Sequence, residues 1–487
     1  MPLKYHIHTE PAPPRVRPVG KLGIVEWRED CSSCHNCVKR GCIYDFYRSE
    51  ADALRNETGY LDYIYQCKCC LNCVQDCTKG ILTRVVNPEY QRLGDEHYTP
   101  EIILTTWYQA ETGRIPVSGA GYGGRFSGPG FDSMWTDMSE IVRPTRDGIH
   151  GREYISTSVD VGRKLAHLSF HEGQLSVSPP PLLESPMPVM FEATAPRWHR
   201  GKIVRSIARA AAQIGLFAVV PTGDLSPELS ALDRSVVPWL EHARKGAGGA
   251  ALAAAMVMVS DSDDVMAVQA SLKKENAGRI VAIRLGATPA VAGRVLELVA
   301  EGAEVLHLVF DAHGREEAPS NPRHMRDVLR EVHGALVKEG MRDLVTLSAS
   351  GGIALAEHVA KAVICGADLV AVDVPLGIAL ECRLCGECEQ GQACPIALDD
   401  VDPEYATRRV INLMGAWHQQ LIELMGAMGL REARRLRGET GRCMFFEDLE
   451  RETFGRLFGA RKAEEPAQVT SQPPSAGCGL AAVTSNK

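Results

Sequence analysis

From Met187 onward the chain alternates short apolar runs with stretches whose apolar residues recur at helical spacing. The helical stretches include Lys202 to Gly215, Ala290 to Gly302 and Pro322 to Gly340. Such alternation is typical of βα units and predicts a parallel sheet. Eight units in about 200 residues predict a (β/α)8 TIM barrel of the α/β class, at the lower end of its usual length. The eight strand-like runs begin at Val189, Leu216, Val236, Met256, Ile280, Val305, Leu344 and Leu369.

The third run is the least regular, because Pro238 lies inside it and cannot donate a ladder hydrogen bond. After the eighth run, apolar positions from Tyr405 to Leu436 recur at helical spacing and predict one or two helices packed on the barrel. We therefore expect the barrel domain to span residues 181–436.

Three segments lie outside this barrel. Residues 1–25 are interrupted by prolines and predict an extended arm. Residues 97–180 form a lead-in segment, and residues 437–487 form a C-terminal extension with a flexible tail rich in proline, serine and alanine. The lead-in contains Gly119-x-Gly121-x-x-Gly124, which matches a dinucleotide fingerprint, but the Gly- and Pro-rich residues 127–130 disfavour the helix that such a site needs. A structural loop is the favoured interpretation.

Composition indicates a globular protein. With 487 residues and 45% hydrophobic content, the chain can bury a large core in about two to three domains. The net charge of -8 is spread along the chain and does not indicate a nucleic-acid partner. The longest apolar stretch, Gly246 to Ser260, is rich in alanine and too short for a bilayer, and the N-terminus does not have the pattern of a signal peptide. We therefore expect a cytoplasmic protein without a membrane span.

Thirteen of the sixteen cysteines fall in three tight groups. In a large chain without an export signal, such grouping favours metal ligation over disulfides. The first two groups are Cys31-x2-Cys34-x2-Cys37-x4-Cys42 and Cys67-x2-Cys70-x2-Cys73-x3-Cys77. Two zinc sites are the less favoured alternative, because zinc pairs usually lack the third closely spaced cysteine.

Residues 26–96, which carry these two groups, resemble the two-cluster bacterial ferredoxins, in which three close thiolates and one distant thiolate hold each cubane. The resemblance implies a small α+β domain with two [4Fe-4S] clusters. One cluster would be held by Cys31, Cys34, Cys37 and Cys77, and the other by Cys67, Cys70, Cys73 and Cys42. Ile43 and Thr78 stand where that family usually has proline.

A third cysteine group follows the last predicted strand. Cys382, Cys385, Cys388 and Cys394 are closed by Pro395. Four thiols at these spacings, ending in Cys-Pro, predict a third iron-sulfur site.

A glycine pair follows the seventh predicted strand. The run from Leu344 ends at Ser350-Gly351-Gly352, and a helical pattern then leads to the eighth run. The loops after strands seven and eight are the usual phosphate position of a (β/α)8 barrel, and backbone N–H groups there can bind a phosphate. The sequence therefore predicts a phosphate-type loop beside a metal site.

With these parts in this order, residues 26–436 resemble the FMN-binding synthase domain of glutamate synthases, in the archaeal-type arrangement that carries its own ferredoxin domain. The most specific match is Ala371 to Ile396, which includes Gly377-Ile378-Ala379-Leu380-Glu381-Cys382. The resemblance implies FMN, bound by Ser350, Gly351 and Gly352 at the phosphate and by Thr222-Gly223 in the turn after the second strand. It also implies that Arg284 replaces a lysine beside the flavin ring. The third cluster would be [3Fe-4S] with three ligands, and Cys385 makes [4Fe-4S] equally compatible.

The chain also departs from that family. The loop after the sixth strand, Asp311 to Arg315, lacks the family's glycine run, and residues 260–264 replace a lysine and further glycines after the fourth. Asp373 stands where the second half of the phosphate site has a small residue. His307 and His313 are uninformative alone, and a structural role is favoured for both. No glutaminase domain precedes the barrel, so we do not expect ammonia to be produced from glutamine.

Two functions fit this sequence. The first is an iron-sulfur flavoprotein oxidoreductase that passes electrons from ferredoxin-type clusters to FMN and a small polar substrate, by resemblance an imino or oxo acid. The second is a non-catalytic electron-transfer or scaffold subunit whose barrel site is degenerate. Both imply a flavoprotein or ferredoxin as electron donor and a place in a larger redox complex.

Overall fold

The computed structural model describes residues 5–16, 19, 23–27, 34, 40–43, 70–115, 130–136, 154–192, 201–241, 253–318, 320–388 and 390–459. In the described ranges, seven strands precede the barrel, and six of them form short antiparallel pairs with one another. These seven are β1 (Gly23–Trp27), β2 (Leu82–Val86), β3 (Met134–Thr136), β4 (Val159–Val161), β5 (Phe170–His171), β6 (Gln174–Leu175) and β7 (Leu183–Ser185).

The next eight strands close into one parallel barrel, so the predicted (β/α)8 architecture is confirmed. All eight predicted runs are barrel strands, and two of them begin two residues later than predicted. The barrel strands are β8 (Val189–Glu192), β9 (Ala218–Pro221), β10 (Val236–Leu240), β11 (Met256–Ser260), β12 (Ile280–Gly286), β13 (Val305–Val309), β14 (Thr346–Ser350) and β15 (Leu369–Val372). A last strand, β16 (Cys443–Phe445), pairs with β3.

Helices occupy most of the segments between these strands. Before the barrel lie α1 (Asn72–Gln75), α2 (Pro88–Gln91) and α3 (Pro100–Thr112). Around it lie α4 (Gly201–Ile214), α5 (Pro227–Ser230), α6 (Val265–Glu275), α7 (Val291–Glu301), α8 (Met325–Lys338), α9 (Ala356–Ile364) and α10 (Val374–Ala379). The C-terminal helices are α11 (Pro403–Ala427), α12 (Phe446–Thr453) and α13 (Gly455–Phe458).

Pro238 is accommodated in the third barrel strand. It lies in the middle of β10 and pairs in register with Val220 of β9. On its other side, β10 pairs with β11 only at Trp239 and Leu240. Pro238, which has no N–H, therefore lies just outside the short β10–β11 pairing, and β10 keeps its place in the barrel.

The amino-terminal end of the barrel is closed by the β4–β7 pair. Gly162, directly after β4, donates its N–H to Thr346 Oγ1 at 3.0 Å, and the same hydroxyl donates to the Gly162 carbonyl at 2.9 Å. Because Thr346 begins β14, this contact seals the end of the barrel where the strands start. The carboxyl end, where barrel enzymes place their sites, is the face left for ligands.

The long helix α11 confirms the helix predicted after the cysteines. It packs against α3 and α4 and buries Trp417 and Arg409 almost completely. The Arg409 guanidinium donates to the carbonyl of Ala12 at 2.9 Å and to that of Trp107 at 3.3 Å, which ties the N-terminal arm and α3 to the barrel. Despite its 25 residues, neither α11 nor any other helix in the described ranges has the apolar length that a bilayer crossing requires.

Candidate functional site

A row of polar side chains crosses the barrel near its carboxyl end. The strand register places Ser260, Arg284, His307 and Ser348 side by side on β11, β12, β13 and β14. Ser350 follows two residues later at the end of β14. The His307 ring contacts both hydroxyls, with Nδ1 2.9 Å from Ser348 Oγ and Nε2 3.0 Å from Ser350 Oγ. His307 is fully buried, so its ring is held inside the barrel.

Glu192 completes this network from the opposite wall. It is the last residue of β8, and its carboxylate forms an ion pair with the Arg284 guanidinium. Its Oε2 also lies 3.4 Å from Nε2 of His307. The Glu192 side chain is 3% exposed and that of Arg284 is 14% exposed, so only the arginine reaches the surface of the site.

The charges in this network are fixed near neutral pH. Burial alone would raise the pKa of the Glu192 carboxyl, but Arg284 and His307 outweigh it and hold that pKa well below its usual range. Burial lowers the pKa of the His307 imidazole, and the attraction of Glu192 only partly opposes this. Glu192 is therefore ionised and His307 neutral, so one carboxylate compensates the one guanidinium.

A cavity of about 490 Å³ opens beside this network. Trp239, Ser260, Arg284 and Arg294 contribute to its walls. The Arg284 guanidinium stacks on the Trp239 ring, 4.5 Å from its centroid, and the Trp239 indole donates to Ser260 Oγ at 3.1 Å. Arg294 pairs with Asp261 at 2.8 Å. The cavity is large enough for a small flat ligand and offers an aromatic face with polar groups around it.

The glycine pair lies at the end of β14, as predicted. Gly351 and Gly352 have φ angles of +101° and +67°, and both residues and Ile353 are buried. None of these three backbone N–H groups donates a hydrogen bond to any residue that the structure describes. Buried N–H groups without partners are rare, and several in succession form a cradle for an anion. The residues present therefore fit the phosphate of FMN.

Close packing against the loop after β13 also requires glycine at both positions. A Cβ on Gly351 would lie 2.4 Å from the carbonyl oxygen of Asp311, and one on Gly352 would lie 2.4 Å from the amide nitrogen of Gly314. The loop after β13 thus packs backbone to backbone against the glycine pair. The absence of a glycine run in this loop, noted from the sequence, does not prevent close approach, because Gly314 supplies it.

A turn from the end of the N-terminal region covers the glycine pair. In this turn, Gly94 to Tyr98, the His97 ring Nε2 lies 2.9 Å from the Gly352 carbonyl oxygen, and Asp95 pairs with His313 at 3.0 Å. The Gly94 N–H donates to the Arg383 carbonyl at 3.0 Å, which joins the same turn to the terminal cysteine segment. The turn therefore touches both the predicted phosphate loop and the predicted metal site.

The other predicted cofactor residues share this face. Thr222 and Gly223 form a partly exposed 3-10 turn directly after β9, and no atom lies within 4 Å of a Cβ built on Gly223. The Ser350 side chain faces the barrel interior through its contact with His307 and does not extend the glycine cradle. Asp373 precedes α10 at the end of β15. The six predicted residues thus lie at one end of the barrel, distributed over β9, β12 and β14.

The terminal cysteines lie on one loop with an unusual backbone. Among the described residues other than glycine, six have positive φ, and three of these, Glu381, Leu384 and Ala397, flank the cysteines. The Leu384 N–H lies 3.4 Å from Cys382 Sγ. However, no three cysteine, histidine or acidic side chains among the described residues stand in a metal-holding arrangement. The donor chemistry fits an iron-sulfur cluster, but the four thiols are not assembled around one point.

The N-terminal cysteine groups are only partly described. Cys34, Cys42, Cys70, Cys73 and Cys77 lie in the described residues, whereas Cys31, Cys37 and Cys67 lie outside them. The glycine motif at residues 119–124 also lies outside them. Backbone hydrogen bonds, chiefly from Ile81, lower the pKa of the Cys77 thiol, as a metal ligand requires. The ferredoxin-type ligand set remains a prediction.

Sequence reasoning missed Glu192 and Trp239 and treated His307 as uninformative. A signal was present in two of the three cases. Glu192 is a charged residue that closes an apolar strand, Val189-Met190-Phe191, and His307 interrupts another between Leu306 and Leu308. A polar side chain inside a buried run needs a partner, which predicts a network although it does not name the partner.

Comparison with known families agrees with the resemblance inferred from the sequence. Residues 320–431 match the family model described as the conserved region in glutamate synthase. The archaeal-type glutamate synthase [NADPH] of Dehalococcoides mccartyi is 25% identical over 483 residues, covering 85% of this chain and 93% of that protein. The archaeal glutamate synthase [NADPH] of Archaeoglobus fulgidus is 23% identical over 500 residues, covering 89% and 96%. The similarity to glutamate synthases over most of the chain is therefore confirmed.

Similarity to solved structures is weaker. A mandelate oxidase variant has a TM-score of 0.41 at 14% identity and covers 72% of this chain and 91% of its own. The flavin-binding domain of baker's yeast flavocytochrome b2 has a TM-score of 0.42 at 13% identity, covering 82% and 89%.

Proposed function

We propose that this protein is an FMN oxidoreductase of the glutamate synthase type. Its similarity to glutamate synthases supports an oxidoreductase. The observation that carries the flavin assignment is the set of three buried N–H groups, Gly351 to Ile353, that lack a partner among the described residues at the end of β14. A dianionic phosphate would satisfy all three N–H groups, and Arg284 would then be the residue that the resemblance assigns to the flavin ring.

Each part of the chain then has a chemical task. FMN supplies two-electron chemistry when it is bound. Trp239 and Arg284 present an aromatic face and a guanidinium to the cavity, where a small polar substrate, an imino or oxo acid by the resemblance, would meet the ring. The three cysteine groups would hold iron-sulfur clusters, and such clusters carry electrons one at a time. We propose that this chain has no glutaminase activity and takes electrons from a flavoprotein or ferredoxin partner.

The backbone contact between Gly352 and Gly314 favours a second candidate. In this second candidate the barrel is an electron-transfer scaffold that binds no flavin, because the loop after β13 occupies the space beside Gly352. The two candidates differ in whether flavin is retained. Anaerobic purification followed by a flavin absorbance spectrum, with FMN added to any empty protein, separates them directly.

A sharper experiment compares FMN with riboflavin, which lacks only the phosphate. Hydrogen bonds to a charged group contribute about 1.5–3 kcal/mol each, so loss of the phosphate should weaken binding on the order of a hundredfold or more. Inorganic phosphate should compete with FMN and not with riboflavin. Equal affinities for FMN and riboflavin would show that the Gly351–Ile353 loop does not bind the phosphate. If neither flavin binds, the protein is not a flavoenzyme, and the electron-transfer scaffold is the function that we would propose instead.

A further inference from the structure

Arg284 does not reach the cavity as an uncompensated charge. Its guanidinium pairs with Glu192, whose side chain is 3% exposed and lies behind it. Glu192 is in turn within 3.4 Å of His307, and His307 is fixed by Ser348 and Ser350. The carboxylate is therefore held in one place by a chain of buried contacts that starts on β14, crosses β13 and ends on β8.

The cavity side of Arg284 is equally well defined. The guanidinium lies 4.5 Å from the centroid of the Trp239 ring, and both residues line the cavity. A carboxylate directly behind a guanidinium opposes its field in the space in front, and this opposition is strong because the pair is poorly solvated. A negative charge arriving in the cavity thus meets a cation that is already largely neutralised.

We propose that Glu192 is a positioning residue that sets the electrostatic field of the cavity, by orienting Arg284 against Trp239 and cancelling most of its charge. This inference rests on the proposed function insofar as the ligand is a flavin. Wild-type protein then stabilises the reduced, anionic flavin less than a free arginine in the same place would. Arg284 acts on the ligand directly, whereas Glu192 acts through Arg284.

The first test measures the flavin reduction potential of Glu192→Gln. In a dithionite titration the reductant supplies two electrons and solvent supplies one proton, which converts bound FMN into its reduced anion. Removing the carboxylate should favour reduction by at least tenfold in the equilibrium constant, a shift of about +30 mV for a two-electron couple. An unchanged or more negative potential in flavin-loaded Glu192→Gln would overturn the inference.

The matched control is Glu304→Gln. Glu304 is also a buried carboxylate in an ion pair, with Lys273 at 2.7 Å, and it accepts the Val281 N–H at 2.9 Å. It directly precedes β13, at the opposite end of the barrel from Arg284. This variant removes the same charge with a comparable loss of buried contacts, and it should leave the flavin potential unchanged. An equal shift in both variants would show a general effect of charge and would also overturn the inference.

A second readout does not require flavin. Iodide, an anionic quencher, and acrylamide, a neutral one, report how easily each reaches Trp239, whose signal is isolated by subtracting the Trp239→Phe protein. Glu192→Gln should increase iodide quenching of this signal at least twofold and leave acrylamide quenching unchanged, whereas Glu304→Gln should alter neither. If the protein binds no flavin, the proposed function fails, yet the iodide result still decides the role of Glu192. Equal iodide quenching in wild type and Glu192→Gln would refute it.

Discussion

Replacing Gly352 by alanine tests the close packing between the glycine pair and the loop after β13. At Gly352 a Cβ meets two obstacles, because φ is +67° and the amide nitrogen of Gly314 would lie 2.4 Å away. Gly340 is a matched control, since its φ is +69° and a Cβ there would have no atom within 4 Å. The two substitutions thus share the backbone cost, and only one adds a clash.

The expected magnitudes follow from this difference. A left-handed conformation costs a residue with a Cβ about 1–2 kcal/mol, and this applies to both variants. The change in unfolded-state entropy is also the same for both and cancels. Forcing an extra carbon into a packed site costs a further 1–3 kcal/mol or so. Gly352→Ala should therefore be less stable than Gly340→Ala by about 1–3 kcal/mol.

Thermal unfolding under anaerobic conditions, followed by circular dichroism, measures this difference. For a domain of about 250 residues, each kcal/mol lowers the midpoint by about 2–4 °C. Gly340→Ala should retain flavin like the wild type, and Gly352→Ala should lose it together with stability. If the two variants unfold at the same temperature, the loop does not pack on Gly352, and the reasoning about the glycine pair is refuted.

The remaining predictions concern the clusters and the pH dependence of stability. Three clusters need twelve cysteines, so anaerobic analysis should find about twelve irons per chain, or about eleven if Cys385 is not a ligand; about four irons, or zinc instead, would contradict this. Cys385→Ser should convert the terminal cubane into a three-iron cluster with a changed EPR signal, whereas Cys382→Ser should destroy the cluster. An unchanged EPR spectrum for Cys385→Ser would show that Cys385 is not a ligand. Burial lowers the pKa of His418 to about 4, below its unfolded value, so the unfolded state binds more protons and stability falls as the pH drops from 6.5 towards 4. His418→Gln keeps a donor for Thr157 and should reduce this loss in urea titrations at pH 7 and 5; an equal loss in the variant would exclude His418 as the titrating group.

The barrel could be predicted because its signal is local. Each strand is a short apolar run buried on both faces, and the position of Arg284 near the end of one run placed it at the barrel mouth. Its partner could not be predicted in the same way. Glu192 lies 92 residues earlier, and the two meet only because the closed barrel brings β8 opposite β12.

The glycine pair shows the same difference between local features, which the sequence reveals, and contacts between distant loops, which it does not. Its place after the seventh strand and its special backbone were readable from Ser350-Gly351-Gly352. What fills the space beside it was not, because the packing of Gly314 against Gly352 depends on how two loops approach each other in space. The terminal cysteines were equally visible in the sequence, yet their arrangement in space does not follow from their spacing.

The Gly94 to Tyr98 turn bears on how the chain can be divided for experiments. The sequence suggests a domain boundary between residues 96 and 97, but Asp95 accepts the N–H groups of both His97 and Tyr98, at 2.8 and 2.7 Å. A barrel fragment that begins at residue 97 would lack Asp95 and the Gly94 contact to Arg383, and the His97 ring would lose its support above Gly352. A fragment that begins before α2, at residue 87, would keep the turn whole but would lose the Ala12 carbonyl that the buried Arg409 binds. The turn and the N-terminal arm therefore both belong with the barrel in any version of this protein that is expressed.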